Sequence, residues 1–270
     1  MKKYALGWLP DYPDHRDFLA DSKEGVKHAK ETALKLNIKK SSIESNPVDL
    51  RPYCTSIEDQ EDLGSCTAQA GAGLVEYIEL NQFGEYLDAS RLFLYKVTRN
   101  LLGLIGDTGA YMRTTLKALQ LFGTVPESYH PYITSKFDEE PPAFCYSFAS
   151  NYQILRYYRL QTLADIKKVL GLGLPVAFGF TVFRSIFASE VEETGNIPFP
   201  SSNDAVAGGH AVVAVGFDNA KRYIIIRNSW GKNWGDDGCG YLPYKYFEVG
   251  LTRDYWILVK TKYESLKGAL

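Results

Sequence analysis

The chain has 270 residues, 45% of them hydrophobic, so it can bury a substantial core as one large domain or two small ones. Its 30 Lys and Arg residues nearly balance 32 Asp and Glu residues, and the pI is about 6.1, which argues against nucleic acid or an anionic membrane as a partner. No run of about 18 apolar residues occurs, which excludes a membrane-spanning helix.

The first 46 residues are polar and charged, and we expect them to form an N-terminal arm or pro-like segment that ends in a helix. Asp21 with Glu24 three residues later is typical of a helix start. The apolar face of that helix would comprise Val26, Ala29, Ala33 and Leu36. The basic start of the chain lacks the sustained apolar stretch of a secretory signal. We therefore expect a cytoplasmic protein or, alternatively, one exported without a recognisable signal peptide.

Residues 47–150 have a mainly helical pattern, and we expect them to form a helical domain. One helix is predicted to begin near Cys66, because apolar residues recur on one side of the segment that follows, at Ala70, Leu74, Tyr77 and Ile78. Thr114–Leu121 is predicted as another helix. Gln60 precedes Cys66 by six residues, ahead of the predicted helix start.

Strand-like runs dominate residues 151–270, which we expect to form a β-rich domain. The predicted strands are Tyr152–Leu155, Pro175–Phe180, His210–Phe217, Arg222–Asn228 and Tyr255–Lys260. A capped helix is predicted to begin at Thr162–Asp165, inside this half.

A β-hairpin is predicted from His210–Phe217 and Arg222–Asn228, because only a short polar segment separates the two runs. With the turn centred near Asn219, His210 would lie directly opposite Asn228, with their Cα atoms roughly 4.5 to 5.5 Å apart. The imidazole and the amide would then be in contact. This inference depends on the register, since a slip of one residue sends a side chain to the other face.

The four cysteines have neither the density of a disulfide scaffold nor metal-ligand spacing, so we expect no metal and no other cofactor, and a reducing compartment. Cys54, Cys145 and Cys239 are interpreted as buried or incidental thiols. Cys66 differs because of its companions. A thiol, an imidazole, an asparagine and a glutamine amide together provide the groups that a thiol hydrolase needs.

The order Gln60, Cys66, His210, Asn228 resembles the papain-like (C1) cysteine peptidases. His210 and Asn228 follow the cysteine by 144 and 162 residues, close to the roughly 130 to 150 typical of that family. Two short motifs also resemble it. Leu63-Gly64-Ser65-Cys66-Thr67 stands where the family has Cys-Gly-Ser-Cys-Trp, and Gly106-Asp107-Thr108-Gly109-Ala110-Tyr111 where it has Gly-Cys-Asn-Gly-Gly-Tyr, so both halves of the family's disulfide are absent together.

The resemblance implies an α+β, papain-like two-domain fold, with a helical left domain, a β-rich, barrel-like right domain, and the active-site cleft between them. It implies that the backbone at Gly109, Ala110 and Gly209 binds extended substrate, and that Trp230 shields the hydrogen bond between His210 and Asn228 from water. The partner would be a peptide or protein substrate.

The residue chemistry predicts a cysteine peptidase that works through a thioester. An adjacent imidazolium and a helix N-terminus both stabilise a thiolate, so Cys66 and His210 are expected to rest as an ion pair. Gln60 and the Cys66 backbone N–H would bind the oxyanion, and Asn228 would orient the imidazole. A transpeptidase, amidase or acyltransferase could use the same thioester. A catalytically silent binding or inhibitory protein is a further alternative, although such a protein would normally have lost the thiol or the imidazole.

The arm has two possible roles. Residues Trp8–Phe18 either pack against the body as a permanent strut or cover Cys66 and must move, because even ten extended residues span about 33 Å, enough to cross a cleft. Trp8, Leu9, Tyr12 and Phe18 favour burial. We therefore expect a packed arm that partly restricts the site.

Overall fold

The computed structural model describes residues 4–39, 41, 43 and 46–261, with the backbone only for Lys260 and Thr261. Residues 1–3, 40, 42, 44, 45 and 262–270, which belong to the predicted arm and β-rich domain, lie outside the described residues. The described part contains eight α-helices: α1 (Lys23–Lys35), α2 (Cys66–Ile78), α3 (Arg91–Leu102), α4 (Met112–Leu121), α5 (Ala143–Ala149), α6 (Leu163–Leu170), α7 (Ser189–Thr194) and α8 (Tyr244–Glu248). None of the described helices is both long and apolar enough to cross a membrane.

Nine strands are described within the same residues. They are β1 (Trp8–Leu9), β2 (Val48–Asp49), β3 (Ala110–Tyr111), β4 (Ile154–Leu160), β5 (Val176–Phe183), β6 (Val206–Asp218), β7 (Tyr223–Arg227), β8 (Cys239–Pro243) and β9 (Thr252–Thr261). Seven of them form one antiparallel sheet in the order β4-β9-β5-β6-β7-β8, with β2 paired to β6. The predicted α+β architecture is confirmed, with the helices α2 to α5 preceding the main sheet strands along the chain.

Helix α2 is buried almost all round because it lies between α3 and α4 on one side and the sheet on the other. A Cβ on Gly71 would lie 3.0 Å from the Thr115 methyl group and 3.3 Å from Leu94, so glycine permits this close packing. The side of α2 that faces β6 carries Cys66 at its first turn. The fold therefore brings the beginning of α2 against the middle of the sheet.

The hairpin between β6 and β7 is present, but the predicted register is wrong. Val213 pairs with Arg227 and Asp218 with Tyr223, so the turn is centred about one and a half residues later than predicted. A register shift between Ala214 and Gly216 adds a bulge. His210 therefore does not lie directly opposite Asn228. The pairing beside the site is displaced by two residues, an even number, which leaves both side chains on the predicted face.

Other element boundaries also differ from the predictions. β4 begins at Ile154 and extends to Leu160, and β8 was not predicted. The side chain that caps α1 is Ser22, which accepts a hydrogen bond from the Gly25 N–H, and not Asp21. The capping box predicted at Thr162 and Asp165 is confirmed.

The N-terminal arm is integrated into the fold. β1 pairs with β3 in parallel, and the Ala110 N–H donates to the Gly7 carbonyl at 2.8 Å. Further along, Phe18 and Ala20 exchange backbone hydrogen bonds with Arg159 on β4. Trp8 is buried as expected. Two other apolar arm residues expected to favour burial are exposed, with 77% of Tyr12 and 51% of Phe18 accessible to solvent.

Five charged residues, which we call the arm clamp, fasten the arm to the body: Asp11, Asp17, Arg113, Arg159 and Asp254. Asp17 accepts hydrogen bonds from Arg113 Nε at 2.7 Å and Arg159 Nη1 at 2.8 Å. Asp254 accepts from Arg159 Nη2 at 2.9 Å and from the Asp11 backbone N–H at 2.7 Å. Three acidic groups thus share two guanidinium groups in a largely buried position.

This composition makes the clamp sensitive to pH. Burial and, after it, the negative charge of Asp254 raise the pKa of Asp11 to about 7, against the opposing effect of Arg113. An unfolded aspartate has a pKa of about 3.9, so the folded protein binds this proton more tightly than the unfolded chain does. The resulting stabilisation of the folded state is fully present below the unfolded pKa of about 3.9, and it is lost as the pH rises through the folded pKa of about 7.

We predict that Asp11 contributes a fall of about 2–3 kcal/mol in the free energy of unfolding between roughly pH 5 and pH 8, since one pKa unit corresponds to about 1.4 kcal/mol. In Asp11→Asn this contribution to the pH dependence of the free energy of unfolding should vanish. Asp14→Asn is the matched control, because the Asp14 carboxylate pairs with Arg16 inside the arm. Urea unfolding across this range measures the effect. Equal slopes in Asp11→Asn and the wild type would show that Asp11 does not carry it.

Candidate active site

Cys66 is the first residue of α2 and is fully buried. Its sulfur faces backbone N–H groups that oppose the rise in its pKa, above all those of Ala211 on β6 and Gly7 in the arm. The thiol therefore lies where the helical part, the sheet and the arm meet. The structure places the residue following His210 in direct contact with the predicted nucleophile.

Asp107 holds the segment before Cys66 in place. Its carboxylate accepts from the Gly64 N–H, at 3.0 Å to one oxygen and 3.1 Å to the other, and from the Tyr95 hydroxyl at 2.6 Å. The Tyr95 hydroxyl accepts in turn from the Gly109 N–H at 3.0 Å. A hydrogen-bonded carboxylate thus joins the two motifs where the resemblance implied a missing disulfide. The sequence indicated that Asp107 stands where the family has a cysteine, but the hydrogen bonds by which Asp107 joins the two motifs were not predicted.

His210 and Asn228 are in contact, as predicted, with 2.7 Å between Nε2 and Oδ1. The Ser229 backbone N–H, which can only donate, lies 2.8 Å from the same Asn228 atom. That atom must therefore be the amide oxygen, and His210 Nε2 must carry a proton. The opposite nitrogen, Nδ1, has no hydrogen-bond partner within the described residues. In a neutral imidazole, Nδ1 is the basic nitrogen.

Trp230 covers this pair. Its ring stacks on the His210 ring, with 4.6 Å between centroids and 24° between planes. Phe180 approaches the imidazole edge-on at 5.9 Å. His210 is consequently fully buried, and the burial lowers its pKa to about 4, against the opposing effect of the hydrogen bond to Asn228.

Gln60 is also fully buried, and both ends of its amide are bound. Oε1 accepts from the Ser229 hydroxyl at 2.6 Å, which directs Nε2 toward the cleft. Nε2 donates to Leu63 O at 2.9 Å and to the carbonyl oxygen of Ala5 in the arm at 3.2 Å. Ser229 is thus a positioning residue for both Gln60 and Asn228, a role that its place in the sequence did not indicate.

The arm crosses the site. A Cβ on Gly109 would lie 2.2 Å from Gly7 O, and a Cβ on Gly209 would lie 2.5 Å from Trp8 O, so the arm backbone touches both predicted substrate-binding glycines. Ala110 pairs with the arm through its backbone while its methyl group is buried. At the far end, Tyr4 stacks on Trp230 at 4.6 Å.

With the arm in place, the expected ion pair is not the favoured state. Burial raises the pKa of Cys66 to about 11 and lowers that of His210 to about 4. The thiol then holds its proton more tightly than the imidazole would, so both groups are neutral at neutral pH. Burial therefore disfavours the expected ion pair in the covered site, because the expectation left out desolvation of the two groups.

Across the described residues, no group of three or more His, Cys, Asp or Glu side chains is arranged to hold a metal ion. Cys54 and Cys239 line a separate cavity of about 340 Å³, beside Arg51 and Arg227. Cys145 is buried in α5.

Comparisons with known proteins agree on one family. A family model described as papain family cysteine protease matches residues 45–255. The chain is 37% identical over 271 residues to an uncharacterized peptidase C1-like protein, L477, of Acanthamoeba polyphaga mimivirus, covering 94% of this chain and 86% of that protein. The crystal structure of xylellain, a cysteine protease from Xylella fastidiosa, matches with a TM-score of 0.81 and 33% identity over 96% of this chain and 97% of that one. Peptidase 1 of Dermatophagoides pteronyssinus is 29% identical over 237 residues, 82% of this chain and 69% of that protein.

We predict that Asp107→Ala lowers the free energy of unfolding by about 2–3 kcal/mol, because it leaves the Gly64 N–H and the Tyr95 hydroxyl without their acceptor. Tyr95→Phe should cost about 1 kcal/mol, and the double variant should cost less than the sum. Urea unfolding of all four proteins measures the coupling. Strict additivity would mean that the two residues stabilise the fold independently.

Proposed function

Because the chain belongs to the papain family of cysteine proteases, we propose that it is a cysteine peptidase that cleaves peptide bonds with Cys66, His210, Asn228 and Gln60. One observation carries the proposal. The site already holds an extended polypeptide, its own residues 5–8, with a carbonyl oxygen on Gln60 and a backbone N–H at the Cys66 sulfur.

The proposed reaction begins with proton transfer from the Cys66 thiol to His210 Nδ1, the nitrogen left basic by the hydrogen bond to Asn228. The thiolate attacks the substrate carbonyl carbon, and the tetrahedral oxyanion accepts hydrogen bonds from Gln60 Nε2 and the Cys66 backbone N–H. The imidazolium then protonates the departing amine. Water, deprotonated by the same imidazole, hydrolyses the thioester and regenerates the thiol.

The arm must move for this chemistry to proceed. Because burial raises the pKa of Cys66 to about 11, the covered residue rests as a thiol at neutral pH. Displacement of residues 4–8 would return water to the cleft, lower the pKa of the thiol, raise that of the imidazole and vacate the substrate site. We propose that the covered state has low activity and that arm displacement activates it.

We predict that Cys66→Ala abolishes hydrolysis of fluorogenic peptides and of an unfolded protein substrate while leaving the melting temperature almost unchanged, because the thiol supplies chemistry and little packing. Cys145→Ala, which removes another buried thiol, is the matched control and should remain active. Hydrolysis that persists in a folded Cys66→Ala protein would disprove the nucleophile assignment. Product analysis by mass spectrometry with added amines separates hydrolysis from transfer to an amine acceptor.

Gln60→Ala should lower kcat by roughly 10²-fold with little change in KM, which is the usual scale for loss of one oxyanion donor. Steady-state kinetics on the same peptides measure the effect. A change confined to KM would make Gln60 a substrate-binding residue instead.

Gly7→Ala provides a specific way to displace the arm. A Cβ at Gly7 would lie 1.9 Å from Gly64 O, so the arm and the Gly64 segment cannot keep their present contact, while the identities of the cleft residues are unchanged. We expect kcat/KM to rise several-fold and the pH midpoint for alkylation of Cys66 by iodoacetamide to fall below about 11. The control is Gly171→Ala, where the nearest atom would lie at an ordinary 3.4 Å. An unchanged midpoint in a folded Gly7→Ala protein would contradict arm restriction.

A further inference from the structure

The hydroxyl of Tyr132 is bound to the main chain of Gln60. Tyr132 lies in the segment between α4 and α5, and its hydroxyl donates to the Gln60 carbonyl oxygen at 3.0 Å. A carbonyl can only accept, so the single proton of the Tyr132 hydroxyl lies in this bond. The proposed oxyanion donor is therefore held at its main chain by a residue 72 positions later in the sequence.

Two residues at the start of α2 bind the same hydroxyl. Ser65 Oγ lies 2.7 Å from the Tyr132 hydroxyl oxygen, and because the Tyr132 proton is directed at Gln60, the Ser65 hydroxyl must donate here. Gln69 Nε2 donates in turn to Ser65 Oγ at 3.4 Å. Burial raises the pKa of Tyr132, and Ser65 and Gln69 oppose the rise, as donors to a phenol oxygen do. We call these four residues the Tyr132 network: Gln69, Ser65, Tyr132 and Gln60.

The Ser65 hydroxyl is used for this network and not for the helix. Ser65 is the residue before α2, where a serine side chain normally accepts a hydrogen bond from an N–H of the first turn. The Ser65 side chain makes no such capping bond. It is fully buried, and its hydroxyl bonds to Tyr132 instead. The stability of α2 by itself does not account for this arrangement.

The peptide group between Gln60 and Glu61 is bound at both ends. Its carbonyl accepts from Tyr132 and, at 3.2 Å, from the Leu63 N–H, which closes a turn over residues 60–63. Its N–H donates to Asp59 Oδ1 at 2.9 Å. Glu61 has φ +54°, which is uncommon for a residue with a Cβ and persists only where neighbouring groups fix it. The Tyr132 hydroxyl is one of the groups that fix this peptide.

We propose that Tyr132 is a positioning residue for the oxyanion site and acts through Gln60. The inference rests on the proposed peptidase function. An oxyanion donor is effective only within about 2.7–3.1 Å of the developing charge, so a small shift of the Gln60 main chain weakens the bond from its Nε2. Tyr132 prevents that shift by holding the Gln60 carbonyl. It does not itself contact the substrate in this account.

The first test is kinetic and uses Tyr132→Phe, which keeps the ring and removes the hydroxyl. It is measured in the full-length protein, in the wild-type and Gly7→Ala backgrounds, after circular dichroism has shown that each variant is folded. We expect kcat for fluorogenic peptides to fall roughly 3- to 10-fold with little change in KM, which is less than the effect of losing the Gln60 donor itself.

Tyr77→Phe is the matched control. The Tyr77 hydroxyl is buried and also donates to a backbone carbonyl, that of Gly173 at 2.9 Å, but Tyr77 lies at the opposite end of α2 from Cys66. Its loss should leave kcat unchanged. A fall in kcat as large as that of Tyr132→Phe would show that losing any buried tyrosine hydroxyl has this effect, and would overturn the inference.

A double-mutant cycle separates positioning from a general structural role. If Tyr132 acts through Gln60, Tyr132→Phe should not lower kcat further in the Gln60→Ala background. An equal fall in kcat in both backgrounds, or an unchanged kcat in a folded Tyr132→Phe protein, would overturn the inference while leaving the peptidase proposal intact. Should Tyr132→Phe not fold, Ser65→Ala replaces it, because it removes the donor to Tyr132. The expected and contradicting outcomes are unchanged.

If neither the wild type nor Gly7→Ala cleaves any peptide, the peptidase proposal fails, and the position of Gln60 is measured without catalysis. The readout is hydrogen exchange of the Gln60 side-chain amide by NMR. Tyr132→Phe should accelerate this exchange several-fold relative to the wild type, and Tyr77→Phe should not. Equal exchange in Tyr132→Phe and the wild type would show that Tyr132 does not position Gln60.

Discussion

Burial of Cys66 and His210, to which the N-terminal arm contributes, is the constraint on which the state of this protein depends. The same two groups that resemble a thiolate–imidazolium pair in type and order are held neutral, because a buried charge is costlier than a buried dipole. The arm supplies hydrogen-bonding groups to the site as it does so, a carbonyl for Gln60 and an N–H for the sulfur. In this one arrangement the arm both covers the cleft and occupies it as a substrate would.

The rest of the structure supports that arrangement through hydrogen bonds and through glycines, whose lack of a Cβ leaves room for the arm. Asp107 joins the two walls of the helical side by accepting from Gly64 and Tyr95, which makes the site independent of an oxidising compartment. Ser229 fixes the amide oxygens of both Gln60 and Asn228. Glycines line the path of the arm where a Cβ would collide with it.

Residue type and order were enough to predict the helix beginning at Cys66 and the contact between His210 and Asn228. That contact was predicted from a register in error by two residues. The prediction still held because successive side chains of a strand alternate between its two faces, so a shift of two leaves both side chains on the same face. Strand β8 was missed because its sequence, Cys239–Pro243, contains glycine and proline and does not alternate. The path of the arm and the bond from Asp107 to Gly64 depend on tertiary contacts between distant segments, which no local pattern encodes.

The central claim, that the covered site rests neutral, is tested most directly by the ¹⁵N chemical shifts of the His210 ring in the wild-type protein between about pH 4 and pH 8. The account predicts a neutral imidazole protonated on Nε2 at neutral pH, with Nδ1 gaining a proton only near pH 4. Protonation of both ring nitrogens at pH 6 to 7 would show that His210 is an imidazolium in the covered state and would contradict the account.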